Sequence, residues 1–144
     1  MNWRTTWRHH ARTVLELVRL RDLPTTIVLW TGPSALDGTP IMLIGSRIAE
    51  PSQNTKTGDM IQVSIMRADM PPVDAWRIGA DGAVCPDACS HRSRTRGGRG
   101  TCYVNKARLT STWQAARREA IAGRIGVPPF FFARARVRMG MEGD

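Results

Sequence analysis

Cys85-Pro86-Asp87-Ala88-Cys89-Ser90-His91 leads into an arginine- and glycine-rich run from 92 to 101 and then Cys102-Tyr103-Val104-Asn105. These residues hold every cysteine of the chain and its one histidine outside the N-terminal segment. Three residues separate Cys85 from Cys89, and twelve separate Cys89 from Cys102. Thiolates bind soft or borderline metals, zinc and clustered iron among them. With His91 the set becomes three sulfurs and one nitrogen, a complete tetrahedral zinc shell. Without His91, three sulfurs leave one corner of a four-iron cluster open to a substrate or cofactor. Both arrangements need the run from 92 to 100 to fold back. Gly97, Gly98 and Gly100 permit that, and the entropy of loop closure grows only slowly with length. Three unrelated buried thiols are the alternative, disfavoured by their confinement to an 18-residue window.

Working outward, a helix follows Asn105, with Ser111 and Gln114 in a capping-box pattern. Trp113, Ala116, Ala120 and Ile121 are its inward candidates, and Gly123 marks its stop. Before the cysteines, Asp69-Met-Pro-Pro-Val reads as the start of a short helix, with Asp69 as cap and prolines in the first turn, ending at Gly79. Three strands precede it: Thr25 to Trp30, Ile41 to Ile44 and Met60 to Arg67. A turn at Asp37-Gly38 joins the first two. The unbroken apolar run of the second predicts burial on both faces. Lys56-Thr57 lies in a polar loop that lacks the glycine spacing of a phosphate loop.

At the ends, residues 5 to 21 carry Trp7, Ala11, Val14, Leu15 and Val18 at helical spacing, opposite Arg8, Arg12, Glu16 and Arg19. His9 and His10 are adjacent, point in different directions and read as exposed helix residues. Arg134, Arg136 and Arg138 alternate with Ala135, Val137 and Met139, which is strand periodicity. The expected fold is α/β: a small mixed sheet with flanking helices and a metal-binding cysteine loop. The N-terminal amphipathic helix occupies 1–24 and the metal-site domain 25–144. The core is expected from the strands around Ile27, Ile41 and Ile61, the 135–139 strand, and the two clear helices.

The chain has 144 residues, 42% of them apolar, enough for one domain with a real core. Its net charge is +9, and all but Lys56 and Lys106 of its 21 basic residues are arginines. Such a balance favours polyanionic partners, nucleic acid above all. A solvated surface written by a GC-rich genome explains the same arginines, which are spread along the chain. The odd, closely spaced cysteines argue for a reducing compartment and against a disulfide framework. No apolar run is long enough for a membrane span, so a cytoplasmic location is expected.

Asn54-Thr-Lys-Thr-Gly58, then Gly79-Ala-Asp81, then Cys85…Cys89-Ser-His91…Cys102-Tyr-Val-Asn105 together resemble a protein family of tailed bacteriophages and prophages. Its members carry an N-T-K-T-G loop, a C-G-D-C-P-H-R-like segment and a C-Y-V strand start. That family is in turn similar to radical S-adenosylmethionine enzymes, in which three cysteines hold a 4Fe-4S cluster near the first strand of a partial β/α barrel. The resemblance runs from about Ser34 to the end of the chain. Two departures stand out. The first cysteine gap is three residues where the family has two, matching the radical enzymes, whose second gap of two is far shorter than the twelve found here. Val137-Arg-Met-Gly-Met-Glu-Gly-Asp144 resembles the family's V-R-L-G-x-x-G-D-P segment, after which its members continue into further β/α units. A truncated member without a complete radical active site is therefore expected, in a bacterial host's cytoplasm.

The resemblance implies a phage-related metalloprotein with a 4Fe-4S cluster on Cys85, Cys89 and Cys102. His91 would then stand beside the cluster, with Asn54, Lys56 and Asp144 lining the same end of the sheet. The alternative is a zinc-stabilised nucleic-acid-binding module, with Zn2+ on Cys85, Cys89, His91 and Cys102. There Arg92, Arg94, Arg96 and Arg99 would contact phosphates. A structural or interaction protein is a third reading, with a protein partner or a homo-oligomer docking on Phe130 to Phe132 and an unpaired, arginine-rich final strand.

Overall fold

A computed structural model of the chain describes residues 24–48, 58, 60–91, 102, 104–126 and 137–139. The expected helix over 5–21 lies outside the described residues. Four strands form one sheet in the order β1-β2-β3-β4: β1 Thr26–Pro33, β2 Pro40–Ser46, β3 Ile61–Arg67 and β4 Val137–Met139. The first three make an antiparallel meander, and β4 joins β3 in parallel. Between β3 and β4 lie two helices, α1 Pro72–Ile78 and α2 Lys106–Ile121. The sheet is mixed and the class is α/β, as expected.

The β1–β2 turn forms as its residues dictate. Gly38 takes a left-handed φ of 75°, and the Asp37 carboxylate accepts the Thr39 N–H at 2.9 Å. Leu29 is an extra residue in β1, because Val28 opposes Ile44 while Trp30 already opposes Leu43. Across from that bulge Gly45 leaves room: a Cβ there would meet Leu29 Cδ1 at 3.1 Å and Ile48 Cδ1 at 3.0 Å.

Both faces of the sheet are packed. On one, Val28, Met42, Ile44 and Met66 meet Leu109, Trp113 and Ala116 of α2. On the other, Ile27, Ile61 and Val63 cluster with Ile48, and half-buried Leu29, Leu43 and Val137 join them. β2 contributes to both, as its apolar run implied. Each fully buried aliphatic side chain contributes about 1.5–3 kcal/mol relative to exposure.

Four expectations need correction. Asp69 does not cap α1; the N-cap is Pro71, which forms no side-chain cap bond, and Asp69 instead takes a two-pronged hydrogen bond from Arg67. Ser111 does not open α2 but sits mid-helix, where its hydroxyl donates back to the Ala107 carbonyl. The cap is Asn105, whose side chain accepts the Arg108 N–H at 3.0 Å. Ile121 is not inward but 78% exposed, since it lies one residue off the face on which Leu109, Trp113, Ala116 and Ala120 pack. The final strand is not unpaired over 137–139, because β3 takes one of its edges. The expected end of α1 holds, with Gly79 left-handed at φ 77°.

Candidate metal centre

The chain enters the cysteine segment from the end of α1. The Ala80 N–H closes onto the Ala75 carbonyl, and Asp81 follows with only 2% of its surface exposed. The Asp81 carbonyl accepts the N–H groups of Val84 and Cys85, at 3.1 and 2.8 Å, so residues 81–85 wind into a tight turn. A second turn closes from Cys89 N–H to the Pro86 carbonyl at 3.0 Å. Cys85 and Cys89 thus flank a three-residue turn, both half-buried, with the residues between them exposed.

Two anchors tie this segment to the sheet. The buried Ser34 hydroxyl, at the end of β1, donates to the Ala83 carbonyl at 2.8 Å. Arg67, at the end of β3, donates to the Ala80 carbonyl while its other nitrogens hold Asp69. Neither residue stood out in the sequence. Arg67 and Asp69 carried a faint signal as an opposite-charge pair just past a strand, whereas Ser34 resembled any turn serine. Ala83 and Val84 are buried beneath, so the base of the segment belongs to the core and its thiols lie toward the surface.

Cys102 returns to the same place. Its N–H donates to the His91 carbonyl at 3.1 Å, which closes the run from 92 to 101 at its neck. Cys102 and His91 are both exposed, and neither Cys85, Cys89 nor Cys102 is disulfide-bonded. Among the described residues, no three side chains of His, Cys, Asp and Glu come together as a ligand group. The donor chemistry fits a thiophilic metal, and the backbone brings the second and third parts of the motif side by side. Arg92, Arg94, Arg96 and Arg99 lie outside the described residues, as do Asn54, Lys56 and Asp144.

Among the described residues, no helix is long and apolar enough to cross a membrane. No family model, curated protein or solved structure matches the chain.

Proposed function

We propose that the protein is a phage-related metalloprotein whose Cys85, Cys89 and Cys102 thiolates hold a 4Fe-4S cluster. The observation that carries this reading is the Cys102 N–H to His91 carbonyl bond, which returns the third thiol-bearing residue to the segment that holds the other two. Support also comes from exposure. Thiols kept for packing are buried, whereas these are half-buried or exposed, and Cys85 and Cys89 follow directly on the stretch that Ser34 and Arg67 anchor at Ala83 and Ala80. The crossover from β3 through α1 and α2 to β4, with its parallel pairing, is of the kind found in β/α units. When bound, such a cluster supplies one-electron chemistry at its open iron. The protein's own part is to fix three sulfurs and exclude a fourth.

A second reading is zinc on Cys85, Cys89, Cys102 and His91, with the arginine run on nucleic-acid phosphates. The same hydrogen bond favours it, because it sets His91 beside Cys102. Metal analysis of anaerobically purified protein separates the two. The cluster reading predicts brown protein with broad visible absorption, iron and acid-labile sulfide, all retained in His91→Ala. Colourless protein holding one zinc per chain, lost in His91→Ala, overturns it. Phosphate contacts would further make nucleic-acid affinity fall steeply with salt.

A further inference from the structure

At the end of the sheet away from the β1–β2 turn, the face that carries α2 changes from apolar to polar. Thr26 opposes Ser46, and Ser46 opposes Gln62, so one cross-strand row is entirely hydrogen-bonding. In the next row Ser64 stands opposite Ile44 and is 1% exposed. Above this floor the first turns of α2 bring Arg108 and Thr112, and the chain leaving β2 brings Arg47. Together they enclose a cavity of about 160 Å³ with one apolar wall, Leu109.

Arg47 is the one non-glycine residue with positive φ, at 64°, among those described. The left-handed region costs an L-residue about 1–2 kcal/mol, and such strain persists only where neighbours impose it. They do so here: Ser46 is held in β2, and Ile48, buried, donates its N–H to the Thr25 carbonyl at 3.1 Å. That turn delivers the Arg47 side chain to the cavity wall.

Among the described residues no carboxylate lines the cavity, and neither Arg47 nor Arg108 has an ion-pair partner. The Ser46 and Thr112 hydroxyls are committed to the Gln62 and Arg108 carbonyls. The half-buried Thr26 and buried Ser64 hydroxyls have no such side-chain bond among the described residues, and for Ser64 a missing partner is costly. Two arginines from separate elements thus line the cavity together with the Ser64 and Thr26 hydroxyls. A planar carboxylate offers two oxygens to one fork, whereas donors on three sides suit a tetrahedral oxyanion. The volume is several times the roughly 30 Å³ share of one water, which leaves room for a small ester group.

We propose that this cavity binds a phosphoryl group, as orthophosphate or a small phosphate monoester, held between Arg47 and Arg108 over the Ser64 and Thr26 hydroxyls. The site is independent of the cysteines. Equilibrium dialysis of the full chain at fixed ionic strength, with orthophosphate in one arm and glycerol 3-phosphate in the other, tests it and identifies the form preferred. One site per chain is expected in at least one arm. Arg108→Ala and Arg47→Gly should each weaken it about tenfold or more, the range for losing a charge-assisted hydrogen bond. Arg47→Gly relieves the positive φ, so its thermal midpoint should equal or exceed the wild type's, which rules out unfolding as the cause. Arg77→Ala removes the same charge from α1 and should leave affinity unchanged. Absence of saturable binding in both arms, equal weakening by Arg77→Ala, or binding of an oligonucleotide alone would overturn the proposal.

Discussion

The guanidinium of Arg67 is shared between the Asp69 carboxylate and the Ala80 carbonyl, while its own carbonyl accepts the Trp113 indole N–H at 2.7 Å. The Arg67 hydrogen bond is the main reason the Asp69 carboxyl titrates below its ordinary range, with desolvation opposing it. A depressed carboxyl contributes stability above its unfolded pKa of about 3.9, and that contribution is lost as pH falls through the lower folded value. Asp69 is about half exposed, so screening limits the effect to about 0.5 kcal/mol. Asp69→Asn should therefore be less stable than wild type at neutral pH, with the gap closing in strong acid; urea denaturation across that range would read it. Gly45 gives a sharper test of packing. An added methyl meets Ile48 Cδ1 at 3.0 Å and Leu29 Cδ1 at 3.1 Å, so both side-chain ends must shift slightly in the packing around buried Ile48, and Gly45→Ala should cost about 1 kcal/mol in the same assay. An unchanged midpoint would mean that the bulge at Leu29 has slack.

Helix α2 shows how far an element can be read from sequence. Its stop and its inward Trp113 and Ala116 follow from spacing. Its cap does not, because both Asn105 and Ser111 match a capping residue and only the sheet decides where the helix begins. Asn105→Ala should cost about 1 kcal/mol, whereas Ser111→Ala should be neutral or slightly stabilising, as alanine is the better helix former. Circular dichroism melts of the two variants decide between the caps; the reverse order would restore the capping box. The strands were legible for a related reason: β-branched runs end at polar turns, and Asp37-Gly38 announces a tight connection. The parallel partner of β4 was not legible, since Ile61 and Val137 pair from 76 positions apart and leave no local trace. Nor was the polar cavity, whose residues come from the starts of β1 and β3, the end of β2 and from α2. Their meeting depends on register.

In the whole molecule, the chain leading into Cys85 is tied to the core. Ser34 joins it to the β1–β2 turn, Arg67 to the end of β3, and Asp81 sits beneath it. Ser34→Ala leaves the Ala83 carbonyl without this donor and should cost about 1–3 kcal/mol, and metal affinity should fall with it if the turn positions the thiols. Metal binding to the folded chain alone adds stability as RT ln(1 + [L]/Kd). Removing the metal with a chelator should accordingly lower the melting midpoint of wild type and leave that of Cys85→Ser unchanged. Cysteine and histidine stand out in the sequence as candidate donors because residue type determines what a metal accepts. The supports of this segment escaped notice because a serine or arginine acting through a backbone carbonyl has no motif. X-ray absorption at the metal edge of anaerobically isolated protein tests the shared centre most directly. The account predicts iron in an all-sulfur shell with neighbouring iron, abolished by serine at position 85, 89 or 102. Metal-free protein, or a metal surrounded by oxygen and nitrogen, would contradict it.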